Sequence, residues 1–171
     1  ATLVGWMVAE CVGLSPDDFQ PLGLSPLVLT LLRIAMSFVG VFGFSIMFNS
    51  PVKMAAIAAV MGALSNTLRL ELVDLTGMPT TAAAFIGALT AGLLASLIKN
   101  YNGYPRISLT VPSIVIMVPG LYLYRAFYNL GTMSLVDAFS WGAAAIMIII
   151  ALPLGLIFAR IFTDRTFRYC S

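Results

Sequence analysis

The chain has 171 residues, 60% of them hydrophobic and 9% charged, with a mean hydropathy of +1.00. A soluble domain of this size carries about a quarter charged residues, so the composition places the chain in lipid. The net charge of +2 with no Lys/Arg-rich run argues against a nucleic-acid partner. The absence of His, with only Cys11 and Cys170 near opposite ends, argues against a metal centre or cofactor site built by this chain.

Residues 1–14 are apolar but shorter than the about 20 residues that span a bilayer. They read as an interfacial helix or as the trimmed end of something longer. Residues 15–26 hold three prolines and two acids and form a loop. The organisation is therefore an N-terminal interfacial helix and loop over 1–25, then one membrane module over 26–171.

That module reads as an all-α bundle of five transmembrane helices. Span 1 runs from about Leu27 to Phe48 and stops at the turn Asn49-Ser50-Pro51, since proline restricts the residue before it. Span 2 is Val52 to about Leu68, followed by an expected polar loop over 69–79. Span 3 is about Thr80 to Ile98, followed by a second expected polar loop over 99–106. Span 4 is about Ile107 to Tyr128, residues 129–134 turn the chain, and Asp137 opens a fifth span that reaches about Phe162. Strand periodicity is lacking.

With alternating spans, Lys53, Lys99, Arg106, Arg160, Arg165 and Arg168 share one side, and Arg69 alone flanks the other. The positive-inside rule then expects the N-terminus outside and the C-terminus in the cytoplasm. An odd number of spans also allows two such modules to face each other inverted.

Small residues recur every fourth position in span 3 at Ala84, Ala88, Gly92 and Ser96, with Ala55, Ala59 and Ala63 in span 2. Such ladders bring helices close in a membrane, either within the subunit or against a second one.

Span 4 carries the main irregularity. Pro112 and Pro119 each remove a backbone donor, and Gly120 adds freedom. Pro119 falls roughly 18 Å from the inner edge, near mid-bilayer. The break either shapes packing alone or opens backbone groups onto a wet cavity, as in the discontinuous helices of transporters.

Arg33 and Arg125 lie within spans, with no acid counted inside a span to offset them. Each either snorkels to the interface or meets the carboxylate of a solute. Tyr122 and Tyr124 follow the break at depth and need partners for their hydroxyls. Tyr128 fits an aromatic belt. Asn66, one turn from the outer edge, is placed to bond a neighbouring helix or a ligand. The candidate solute-binding residues are thus Pro119, Gly120, Tyr122, Tyr124, Arg33, Arg125 and Asn66. No Ser-His-Asp set, His base or phosphate loop is present, so the chain does not read as an enzyme.

Phe48-Asn49-Ser50-Pro51-Val52-Lys53, then Gly62 and Arg69, Tyr104-Pro105-Arg106, and Val118-Pro119-Gly120 with Tyr124 resemble the threonine/serine exporter family over roughly residues 35–160. The closest likeness is to its small C-terminal-type module, one subunit of a two-protein exporter. Ile116 stands near a place where the family often has a further proline, and residues 1–25 have no counterpart. The resemblance implies a multi-pass protein of the bacterial inner membrane that exports threonine and serine or a C4 dicarboxylate such as succinate. It also implies alternating access with a homologous partner subunit, or a homo-oligomer. The rival expectation is a non-transporting subunit that anchors a membrane complex.

Overall fold

A computed structural model describes residues 11–13, 25–102 and 105–164, with the backbone alone for 99–102. Apart from Cys11–Gly13, the expected interfacial helix and loop lie outside these residues, as does the basic tail after Asp164.

Among the described residues from Ser25 onward, six helices follow in order. They are α1 (Pro26–Met47), α2 (Val52–Thr76), α3 (Thr80–Asn102), α4 (Arg106–Val115), α5 (Gly120–Gly131) and α6 (Leu135–Thr163), and no strand is found. Helices α1, α2, α3 and α6 are each long and apolar enough to cross a membrane, and α4 with α5 forms a pair bent by 44° that has the length and apolarity of a broken span or a re-entrant loop.

Local chemistry sets the boundaries. Pro26 occupies the start of α1, where its missing N–H breaks no helical bond. After α1, Asn49 takes a left-handed conformation (φ 57°), which Asn tolerates better than most residues, and Pro51 then leads into α2. Gly77 ends α2 in a left-handed cap (φ 65°), its N–H donating to Val73 O at 3.1 Å.

The loops are shorter than the sequence suggests. Residues 69–76, expected as a polar loop, continue α2 as helix. Their charges did not end the helix because each finds a partner on a neighbouring element. Likewise α3 continues through Lys99 to Asn102, and α5 continues to Gly131, leaving only 132–134 as the turn.

By contact pattern the chain divides into two compact units. Residues 25–118 with 148–164 form the larger, and 119–147 form the smaller. In the larger unit α2 is central and packs on α1, α3 and α4. Gly62 makes the three-way approach possible. A Cβ there would lie 2.6 Å from Val41 Cγ2 on α1 and 3.1 Å from Ser113 Cα on α4. The surrounding core holds Val41, Met54, Ala58, Ala59, Met61, Ala95 and Leu109. Helix α4 runs unbroken through Pro112, and Ser113 Oγ sits 3.0 Å from Ala58 O and 2.7 Å from Leu109 O, sharing its one proton.

The alanine–glycine ladder of α3 serves contact inside the subunit. Ala84, Ala88 and Gly92 are buried, and a Cβ on Gly92 would come within 2.5 Å of Ala159 Cβ on α6. Gly155 of α6 reciprocates against Phe85 O and Ala88. Large side chains point outward instead: Leu27, Leu31 and Val39 of α1 are 79%, 66% and 64% exposed, the surface expected for lipid contact rather than water.

In the smaller unit, α5 packs along the first half of α6. Gly142 faces Ala126 with Cβ contact at 4.0 Å. An apolar cavity of about 340 Å³ opens between them, lined by Leu123, Phe127, Leu130, Phe139 and neighbours.

Candidate functional site

The helix break lies where the sequence locates it. Helix α4 ends at Val115, tightens through Met117 N–H to Ile114 O (2.9 Å) and Val118 N–H to Val115 O (3.1 Å), and helix restarts at Gly120. Pro119 precedes the new helix with ψ 57°, and no side chain caps it. The first backbone N–H groups of α5 thus have no helical acceptor and no cap from the side chain of Pro119. A helix start of this kind carries partial positive charge, and it favours anions such as carboxylate. A Cβ on Gly120 would meet nothing within 4 Å, so the backbone there stands open.

The carbonyl side of the break is closed by a residue the sequence reading left at the membrane edge. Arg69 Nη1 on α2 donates to Met117 O at 3.0 Å, and Met117 is fully buried. A cation at a helix C-terminus offsets its negative end. Gly87 of α3 gives the arginine room, since a Cβ there would sit 3.2 Å from both Arg69 Cβ and Met117 Sδ. The signal available in sequence was the position of Arg69 beyond an apolar run that α2 in fact extends.

Arg33 meets the chain's own acids. Its Nη1 donates to Glu71 Oε1 at 3.0 Å, its Nη2 donates to Asp74 Oδ2, and Thr30 Oγ1 also donates to Glu71 Oε1 at 3.0 Å. The expectation that no acid within a span offsets Arg33 is therefore corrected. Glu71 and Asp74, one turn apart on the extended end of α2, face it across the α1–α2 hairpin.

Asn66 bonds a neighbouring helix: its Nδ2 donates to Ser37 Oγ of α1 at 2.8 Å. Asn66 Oδ1 is buried without a protein partner among the described residues, as are the hydroxyls of Ser65 and Thr67 beside it.

In the smaller unit Arg125 lies over Trp141, with Cζ 4.6 Å from the ring centroid. Such a contact is worth about 0.5–2 kcal/mol depending on desolvation. Tyr122, one turn earlier on α5, meets the same indole edge-on at 5.5 Å between centroids. Arg125 Nε is buried with no protein partner among the described residues. Tyr124 stacks on Tyr128 at 6.5 Å. Of the sequence candidates, Pro119, Gly120, Tyr122, Tyr124 and Arg125 thus share the smaller unit, while Arg33 and Asn66 belong to the larger. Trp141, the residue that joins Tyr122 and Arg125, had no part in the sequence reading. An indole inside an apolar span gives no local sign of its partner.

Together these groups can present uncapped amide donors, a guanidinium and aromatic faces to a small anion. They supply no nucleophile–base pair. Comparison with known proteins agrees with transport. The family model described as "Threonine/Serine exporter, ThrE" matches residues 33–162, from Arg33 in α1 to Phe162 in α6. An uncharacterized protein of Haemophilus influenzae is 28% identical over 130 residues, covering 75% of this chain and 43% of that protein. The chain spans less than half the length of that curated relative. No solved structure matches.

Proposed function

The chain belongs to the threonine/serine exporter family, a family of membrane exporters, and we propose that it forms one half of an exporter of small carboxylate-bearing metabolites. The cargo class is threonine and serine or a C4 dicarboxylate such as succinate. A homologous half completes the transporter, and rocking of one half against the other alternates access. The bias of Lys and Arg favours an inner-membrane orientation with the C-terminus in the cytoplasm.

One observation carries this reading: helix restarts at Pro119–Gly120, inside a span, with its amide donors uncapped. Donors in hydrocarbon are costly unless they line a polar passage or are met by a ligand. A solute carboxylate supplies acceptors of the right charge, and Arg125 supplies a second point of attachment beside Tyr122. A two-point hold suits an amino acid or a dicarboxylate better than an uncharged solute.

The test is efflux from cells lacking the protein, restored with wild type or with Pro119→Ala/Gly120→Leu. The double variant is expected to insert normally and to leave threonine, serine or succinate trapped inside. Wild-type efflux by the double variant would remove the proposed site. Unchanged metabolite levels on deletion of the protein itself would favour an anchoring subunit instead.

A further inference from the structure

A second cavity, about 360 Å³, lies in the larger unit between the first turn of α4 and the last turns of α6. Arg106, Thr110, Arg160 and Asp164 line it together with Ile107, Leu156 and Ile157. It is within the size range of small-ligand sites, about 300–1,000 Å³. Its chemistry is divided. Two guanidinium groups and a carboxylate mark one part, and branched aliphatic side chains form the walls.

Arg106 is fixed in place. Its Nη2 donates to Gly92 O at 2.8 Å and its Nη1 to Thr163 Oγ1 at 3.0 Å. These bonds tie the guanidinium to α3 and α6, so its orientation is set before any ligand arrives. Arg160 Nε lies 3.9 Å from Asp164 Oδ2 on the next turn of α6. Arg106 and Arg160 against Asp164 give the cavity a net positive charge. The aliphatic part is not sealed: Ile107 is 69% exposed and Ile157 44% exposed. Both open outward at the first turn of α4 and the last turns of α6, the ends of two candidate spanning elements, where headgroups would meet acyl chains in a bilayer.

From this juxtaposition we infer that the cavity binds an anionic phospholipid, its phosphate between Arg106 and Arg160 and its acyl chains along Ile107, Leu156 and Ile157. Basic pockets between helices at a membrane face bind anionic headgroups by the same charge logic. A soluble anion would use the arginines and leave the aliphatic walls idle. A zwitterionic lipid would use the walls and gain little from the arginines. The cavity suits the ligand that uses both, and the solute site at the helix break does not enter the argument.

The test uses the full chain purified in an uncharged detergent. Binding of phosphatidylglycerol, phosphatidylcholine and glycerol 3-phosphate is compared by native mass spectrometry and by thermal shift. Phosphatidylglycerol is expected to bind about tenfold or more tighter than phosphatidylcholine, with Arg160→Gln losing about fivefold. Arg160 is exposed, so that variant keeps the packing. Arg106→Gln should lose at least as much, and Lys53→Gln, an exposed charge outside the cavity, should lose nothing. Equal binding of both lipids, unchanged binding by Arg160→Gln, or an equal loss in Lys53→Gln would overturn the assignment. So would protection by glycerol 3-phosphate equal to that by phosphatidylglycerol, or displacement of the lipid by succinate or threonine.

Discussion

Replacing Arg69 by Met should loosen the break in the fourth span. Methionine keeps the apolar stem whose Cβ packs against Gly87 but stops short of the guanidinium, so the donor to Met117 O is removed. Hydrogen bonds with a charged partner are worth about 1.5–3 kcal/mol in soluble proteins. In membranes, interhelical polar contacts average nearer ~0.6 and reach ~1.7 kcal/mol. A cation at a helix C-terminus adds about 0.3–1 kcal/mol. Met117 is fully buried, so its carbonyl gains no water in exchange. The expected loss is therefore about 1–2.5 kcal/mol, or roughly five- to seventyfold in the unfolding equilibrium. Unfolding by graded SDS in mixed micelles reads this directly. Arg69→Lys keeps a charge but not the planar fork, and should fall between wild type and Met. A Met variant with the wild-type midpoint and normal efflux would refute the view that Arg69 holds the carbonyl end of α4.

Other outcomes follow from single contacts. Gly92→Leu should drive a side chain into Ala159 and Leu156, costing at least the about 1–3 kcal/mol of ordinary overpacking and lowering the SDS midpoint. A double-mutant cycle on Arg33→Gln and Glu71→Gln should return a coupling energy of about 0.5–1.5 kcal/mol, and a value near zero would mean that the pair is not formed in the membrane. Trp141→Leu should leave insertion intact but weaken solute affinity several-fold, since Arg125 loses about 0.5–2 kcal/mol of orientation. Transport by that variant with unchanged affinity would remove Trp141 from the site.

The spans and the break were legible because hydropathy and proline act locally. Pro119 with Gly120 behind it marks the break, whereas α4 and α6 run on through Pro112 and Pro153, and Asn49 with Pro51 turns the chain between two apolar runs. The end of α2 was not legible. Arg69, Glu71 and Asp74 look like loop residues when each is judged alone, and they continue a helix because their partners wait on α1 and just past the end of α4. A depth count would have been the usable hint. Counting from the turn at 49–51, Arg33 lies about 24 Å along α1 and Glu71 about 30 Å along α2, close enough for two long side chains to meet. Arg125 is a similar case. Snorkelling and solute binding were both open from sequence, and neither names Trp141, which settles the guanidinium against an aromatic face. Contacts between elements decide these points, and one chain read residue by residue does not contain them.

The pairing of Arg33 with Glu71 also bears on how the chain is made. The two residues are 38 positions apart. At about 5–20 residues per second, the ribosome takes roughly 2–8 s to deliver the acid after the base. During that interval Arg33 has neither Glu71 nor Asp74 to pair with. The hairpin the first span forms with the second is thus a step in biogenesis as well as a feature of the finished bundle, and a nascent chain arrested before Glu71 would carry an uncompensated charge into the bilayer.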